Sequence, residues 1–299
     1  MANQPTLSNW LSIAALGLIW GATFMVVAIA LEGYGPFTVA CARTTLGAMA
    51  LLTLMRVLRR PLPVFTPQMS GYLIAIGLMN TALPFALLSW GQQFVPSAFA
   101  GISMAALPLF VLPLAHFFTD EKLKLRNTLG VILGFVGAIV LIGPGLLRIG
   151  TGMEPWGQLA CIAASISYAI SSIMTRRCPP IDPITMAALL LTIGAVALIP
   201  TMLLIEGLPT IGGPRPTIAI IALGFIPTAL AALIRVATIR SAGAVFMTLV
   251  NYQVPLWSML FGAWILNEIL PLRFFAALGL ILLGLAISQW SSLKRILMR

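Results

Sequence analysis

The chain has 299 residues, 60% of them hydrophobic and only 8% charged, with a formal net charge of +10. So much apolar surface cannot be hidden inside one water-soluble core, and lipid is the expected solvent. The basic residues are scattered over short loops instead of gathered on one domain, which argues against nucleic acid as a partner.

A helix needs about 20 mostly apolar residues to cross the roughly 30 Å hydrocarbon layer. Ten runs of that kind follow one another, at about 10–31, 36–57, 70–90, 95–118, 126–147, 156–175, 182–204, 216–238, 242–265 and 271–291. The strands of a membrane barrel would alternate over about ten residues, so the expected fold is an all-α membrane protein with ten transmembrane helices.

Run 1 has no Lys or Arg before it and is longer than the apolar core of a signal peptide, so it reads as a mature helix. Trp20 lies near its middle, where the indole N–H needs a partner inside the bundle, and it faces either a cavity or packed core. In run 2, Arg43 stands seven residues past Pro36, about 10 Å into the span. Two readings stand for it: a bond to backbone carbonyls of neighbouring helices, or a counter-ion for a substrate carboxylate. Run 3 has Asn80 and Thr81 shortly before Pro84, and run 4 has Ser103 and Met104 ahead of Pro108. Asp120-Glu121 precede run 5 and suit a helix N-terminus. Gly130, Gly134 and Gly137 then permit close helix contact, within the chain or between subunits.

In run 6 the three- and four-residue spacing places Ser165, Tyr168 and Ser172 on one face. Run 8 carries Pro227 and Thr228 mid-span, and Arg235 near enough to Arg240 to snorkel to the surface. Thr248, Asn251, Tyr252 and Gln253 precede Pro255 in run 9, the most polar patch within any run. Three consecutive residues cannot all face one way, so at most two of them touch a ligand. Asn267-Glu268 stand before run 10 as Asp120-Glu121 do before run 5, and Gly279 and Gly284 lie within it.

Runs 3 to 5 align with runs 8 to 10 at a constant offset of 147. Gly77 meets Gly224, Thr81-Ala82-Leu83 meets Thr228-Ala229-Leu230, Pro108-Leu109 meets Pro255-Leu256, Glu121 meets Glu268 and Arg126 meets Arg273. Upstream, Pro36 meets Pro183 and Gly47-Ala48 meets Gly194-Ala195. The chain therefore divides into two five-helix repeats, 1–150 and 151–299. An odd number of spans per repeat inserts the second copy upside down. The charges agree: Arg56, Arg59 and Arg60 align with Leu203, Glu206 and Gly207, while Arg176 and Arg177 align with Ile29 and Ala30. With both termini cytoplasmic, most basic residues lie inside and only Arg148, Arg215 and Arg273 lie outside, in accord with the positive-inside rule.

In lipid each polar side chain or mid-helix proline calls for a protein-lined or watery setting. Proline removes a ladder hydrogen bond and frees a carbonyl. Breaks at corresponding places in two halves point to a central site, although the same prolines also bend helices for packing. The expected substrate-binding residues are Trp20, Asn80, Met104, Tyr168, Thr228, Asn251 and Tyr252, with Pro84, Pro227 and Pro255 as helix breaks lining a midplane cavity. Cys41, Cys161 and Cys178 share no metal or disulfide spacing, His116 sits near a span end, and no nucleophile–base pair is in register. No catalysis, metal or cofactor is expected; the partners are the bilayer and a small-molecule substrate.

Trp20-Gly21-Ala22-Thr23-Phe24, Ala42-Arg43, Glu121 with Arg126 and Gly130, and Glu268 with Arg273 together resemble the ten-helix EamA-type exporters of the drug/metabolite transporter superfamily. The likeness runs through nearly the whole chain. It implies an inner-membrane secondary transporter, similar to the branch exporting amino acids, aromatic ones included, and working by alternating access. It also makes Arg43 resemble a feature of the fold. Ser167-Tyr168 replaces Trp20-Gly21 in the second copy, so the halves need not contribute alike. A multidrug or cation efflux protein is the first rival, and it would want a mid-membrane carboxylate; all seven acidic residues lie in loops or at span ends. A membrane assembly or lipid-scrambling protein is the second.

Overall fold

Prolines begin many of the helices. At the first turn a proline sacrifices no ladder bond, because the first N–H groups of a helix have no intrahelical acceptor. A computed structural model describes residues 6–119, 125–143 and 152–290. In chain order the helices are α1 (Leu7–Leu31), α2 (Pro36–Val57), α3 (Pro67–Gly91), α4 (Ser97–Phe118), α5 (Leu125–Ile142), α6 (Glu154–Arg177), α7 (Pro183–Ile205) and α8 (Pro214–Ala242), then α9 (Val250–Ile265) and α10 (Leu272–Ser288). Among the described residues these and a single helical turn at Ala244–Met247 make up the regular structure.

The helices α1 to α8 are long and apolar enough to cross a membrane. At 16 and 17 residues, α9 and α10 are shorter, and by rise per residue each spans about 25 Å. Run 242–265 is not one continuous α-helix. Gly243 takes φ +90°, the turn Ala244–Met247 follows, and α9 starts only at Val250.

Pro84 and Pro227 widen their helices instead of breaking them. A π turn occupies Leu78–Ala82 just before Pro84 in α3, and another occupies Gly224–Leu230 around Pro227 in α8. Widening absorbs the missing N–H while keeping the helix continuous. Pro255 lies inside α9 without such a turn.

Helix pairing is reciprocal between the first five helices and the last five. α2 packs on α7, α4 on α9 and α5 on α10; α1 packs on α8 and α9 as α6 packs on α3 and α4. The α5–α10 crossing answers the question left open by the glycines: they meet within one chain. A Cβ on Gly130 would stand 2.5 Å from the Gly284 carbonyl, and one on Gly137 2.8 Å from Ile281. The largest core cluster includes Phe99, Leu109, Phe274 and Ile281, from α4 and α10.

Carboxylates fasten helix starts across the pairs. Glu206, just past α7, accepts from the Phe37 and Thr38 N–H groups at 2.8 Å each and from the Thr38 hydroxyl at 2.7 Å, capping α2. Asp182 caps α7 itself, accepting from Ile184 and Thr185 N–H at 3.0 and 3.1 Å, and it pairs with Arg60 at 3.7 Å and Arg240 at 3.6 Å. Each of α2 and α7 thus has its start beside the other's end, so the two run antiparallel. Glu268 departs from expectation. It caps α4, through the Ser97 and Ala98 N–H groups at 2.6 and 3.1 Å, and not α10. Asn267 sits at φ +54°, and Pro271, which has no side-chain acceptor, precedes α10. Asp120 and Glu121 lie outside the described residues.

Candidate functional site

The two π turns set the site. In α8, Pro227 cannot donate to the carbonyl of Leu223, and the Thr228 hydroxyl donates to it at 2.8 Å. The Pro227 carbonyl accepts from Trp20 Nε1 of α1 at 3.2 Å. The indole of Trp20 therefore finds its partner at the proline-containing π turn of the other half. In α3, Thr81 donates to Gly77 O at 2.5 Å and to Leu190 O of α7 at 3.2 Å. Carbonyl and side chain of the α3 turn are also served from α6: Ser167 donates to Met79 O at 2.7 Å, and Ser171 to Asn80 Oδ1 at 2.9 Å.

Arg43 lies against this framework. Its side chain is buried, one Nη donates to the Thr228 hydroxyl at 3.4 Å, and its guanidinium carbon sits 3.9 Å from the Phe85 ring centroid. The Thr228 hydroxyl uses its proton on Leu223 and a lone pair on Arg43. Nε is buried with no hydrogen-bond partner, and among the described residues no carboxylate pairs with the guanidinium. Neither reading of Arg43 included this arrangement of hydroxyl and aromatic face.

Met104 and Tyr168 join Trp20 against the same core cluster. Ser165 fixes Met104, donating to Ser103 O at 3.0 Å with the thioether at 3.8 Å. The bonded serines of α6 are Ser165, Ser167 and Ser171, all buried, whereas Ser172 is half-buried. The serine face is thus rotated from the expected one, toward α3 and α4. In α9, a Cβ on Gly17 would meet Gln253 Oε1 at 2.7 Å, so Gln253 packs on α1. Asn251 and Tyr252 are half-buried, their backbone N–H groups bonded to Thr248 and Leu249, and the Tyr252 hydroxyl is buried without a partner. No hydrogen bond ties these two to the Trp20 and Arg43 groups. Pro84 and Pro255 are buried and Pro227 is half-buried.

Sequence reasoning missed Phe85 and Glu206. Nothing in the pattern marks Phe85. Glu206 has a readable signal: Asp182, the cap of α7, aligns with Gly35, so α2 has no side-chain cap of its own and one must come from elsewhere. A Cβ on Gly35 would run into the Glu206 carboxylate.

As to chemistry, side chains of both halves converge mid-helix as hydroxyl, amide, indole and guanidinium donors beside apolar walls. Such a set can bind a small polar molecule, and among the described residues no group of three or more His, Cys, Asp or Glu could hold a metal.

The chain is 27% identical to the uncharacterized inner membrane transporter YedA of Escherichia coli (strain K12), over 92% of this chain and 89% of that protein. It is likewise 27% identical to the uncharacterized transporter YoaV of Bacillus subtilis, over 67% and 68% of the two chains. A solved crystal structure, 19% identical, superposes with a TM-score of 0.65 over 95% of this chain and 98% of the other, a likeness of fold. The EamA-like transporter family matches twice, over residues 8–143 and 155–290, the second match displaced from the first by the offset of the internal repeat. Matched in both halves, this chain belongs to the EamA-like transporter family.

Proposed function

We propose that this protein is a secondary transporter of the inner membrane that exports small metabolites, amino acids first among them, including aromatic ones. It comprises ten spans in two inverted five-helix repeats, 1–150 and 151–299, with both termini cytoplasmic and a cavity between the repeats at the midplane. Transport proceeds by alternating access as the repeats rock about that site.

One observation carries the proposal: the paired π turns of α3 and α8, each serviced by side chains of the opposite repeat, at Trp20–Pro227, Arg43–Thr228, Ser167–Met79 and Ser171–Asn80. Irregular backbone at membrane depth is tolerated where it lies buried in protein or lines a cavity. The reciprocal helix pairing and the doubled family match support the inverted repeat. Substrate lies among Trp20, Asn80, Met104, Tyr168, Thr228, Asn251 and Tyr252, with its side chain on Trp20, Tyr168 and Met104. Arg43 weighs against the rival reading of cation efflux, since a cationic substrate would meet an uncompensated positive charge.

Efflux of each amino acid from proteoliposomes containing the purified protein tests this. Saturable flux for at least one amino acid is the expected result; no saturable flux for any of them would retire the assignment.

A further inference from the structure

We propose that Arg43 is the receptor for a carboxylate of the substrate, an inference that rests on the transport role assigned to this same site. Three observations lead to it. The guanidinium is buried within the bundle, where an uncompensated charge is costly even after relaxation. It offers five donors, yet its one hydrogen bond is the 3.4 Å contact to Thr228, and Nε has none. Its surroundings orient it without neutralising it. The Phe85 face at 3.9 Å holds one side, the Thr228 hydroxyl holds one Nη, and among the described residues no carboxylate pairs with the guanidinium.

Backbone carbonyls do not fill the same role. Those exposed by the two π turns already accept from Trp20, Ser167 and Thr228, and a carbonyl repels an anion in any case. The anionic end of a substrate therefore falls to Arg43. One guanidinium carries one positive charge, and its planar fork matches the two oxygens of a carboxylate. The ligand group is thus a monoanionic carboxylate, bound by the guanidinium donors that Thr228 does not use.

Isothermal titration of the purified protein with the amino acids, then with the amide and the deaminated acid of the tightest binder, tests the assignment. Wild-type protein should bind the amino acid and its deaminated acid at least about ten-fold more tightly than the amide, the factor expected for a charge-assisted hydrogen bond. In R43Q that preference should fall to near unity, and R43K, which keeps the charge and serves if the Gln protein does not fold, should retain part of it. Equal binding of acid and amide by the wild type, or an undiminished preference in R43Q, overturns the role of Arg43 and leaves amino-acid transport standing. Binding of deaminated acids but no amino acid, with the preference lost in R43Q, upholds Arg43 and removes amino acids as substrates. Failure of every carboxylate to bind overturns both.

Discussion

The crossing of α2 with α8 and the crossing of α7 with α3 are the same piece of architecture used twice, and they differ at one residue of consequence. Gly47 in the first accommodates Thr228, and Gly194 in the second accommodates Thr81. Both threonines serve a carbonyl of their own helix, Leu223 or Gly77. At the next turn, however, Arg43 meets Thr228 through its side chain, whereas its counterpart, Leu190, meets Thr81 through its backbone carbonyl. Small residues and threonines are what duplicated packing requires. The arginine is not needed for that packing, since the twin crossing closes without one.

Substitutions at matched positions put that comparison under strain. The largest effects belong to the glycines. Gly47→Leu and Gly194→Leu should each reduce folded, detergent-stable protein severely, because added volume meets a threonine with no room to yield; overpacking of a tight interior costs about 1–3 kcal/mol or more. Size-exclusion yield and Tm measure it, and tolerance at one site but not the other would separate the twins. Next come the unlike residues. Arg43→Leu should leave Tm unchanged or raised, since apolar replacement of a buried charge is often neutral or stabilising, while lowering affinity for a carboxylate ligand about ten-fold or more. Leu190→Arg should destabilise by about 3 kcal/mol, because it buries a charge where none is accommodated. A smaller loss is expected for Glu206→Ala, which leaves the start of α2 without its carboxylate and should cost about 2 kcal/mol, read as a lowered Tm. The smallest belong to Thr81→Val and Thr228→Val, about 1 kcal/mol each, because either change removes a buried hydroxyl that serves two partners, the Gly77 and Leu190 carbonyls in one case, the Leu223 carbonyl and Arg43 in the other.

Much of the fold is legible in the sequence because lipid imposes a simple rule: backbone polarity must be satisfied within the helix, so span length follows from apolar length. The helices α1 to α8 follow that rule, and the offset between Gly77 and Gly224 anticipates the reciprocal pairing. What the rule does not carry is rotation and reach. The faces of α6 are set by what the α3 π turn and α4 offer as acceptors, so Ser167 and Ser171 turn inward beside Ser165, where spacing alone grouped Ser165 with Tyr168 and Ser172. Glu268 sits beside the start of α10 in sequence but caps α4, because a folded loop brings distant helix ends closer than neighbouring ones. Arg43 is visible as a charge in an apolar run, whereas its contacts with Phe85 and Thr228 depend on tertiary packing that no periodicity encodes.

Membrane sidedness tests the proposed antiparallel arrangement of the repeats most directly. Leu58 and Ile205 are 46% and 60% exposed at the two ends of the α2–α7 pair. Native background labelling should be low, since Cys41 and Cys161 are buried and burial pushes the Cys178 thiol up. Leu58→Cys and Ile205→Cys, labelled with a membrane-impermeant maleimide in intact cells and in inverted vesicles, should react from opposite sides, position 205 in cells and position 58 in vesicles. Reaction of both from one side would contradict the inverted arrangement and the shared site built on it.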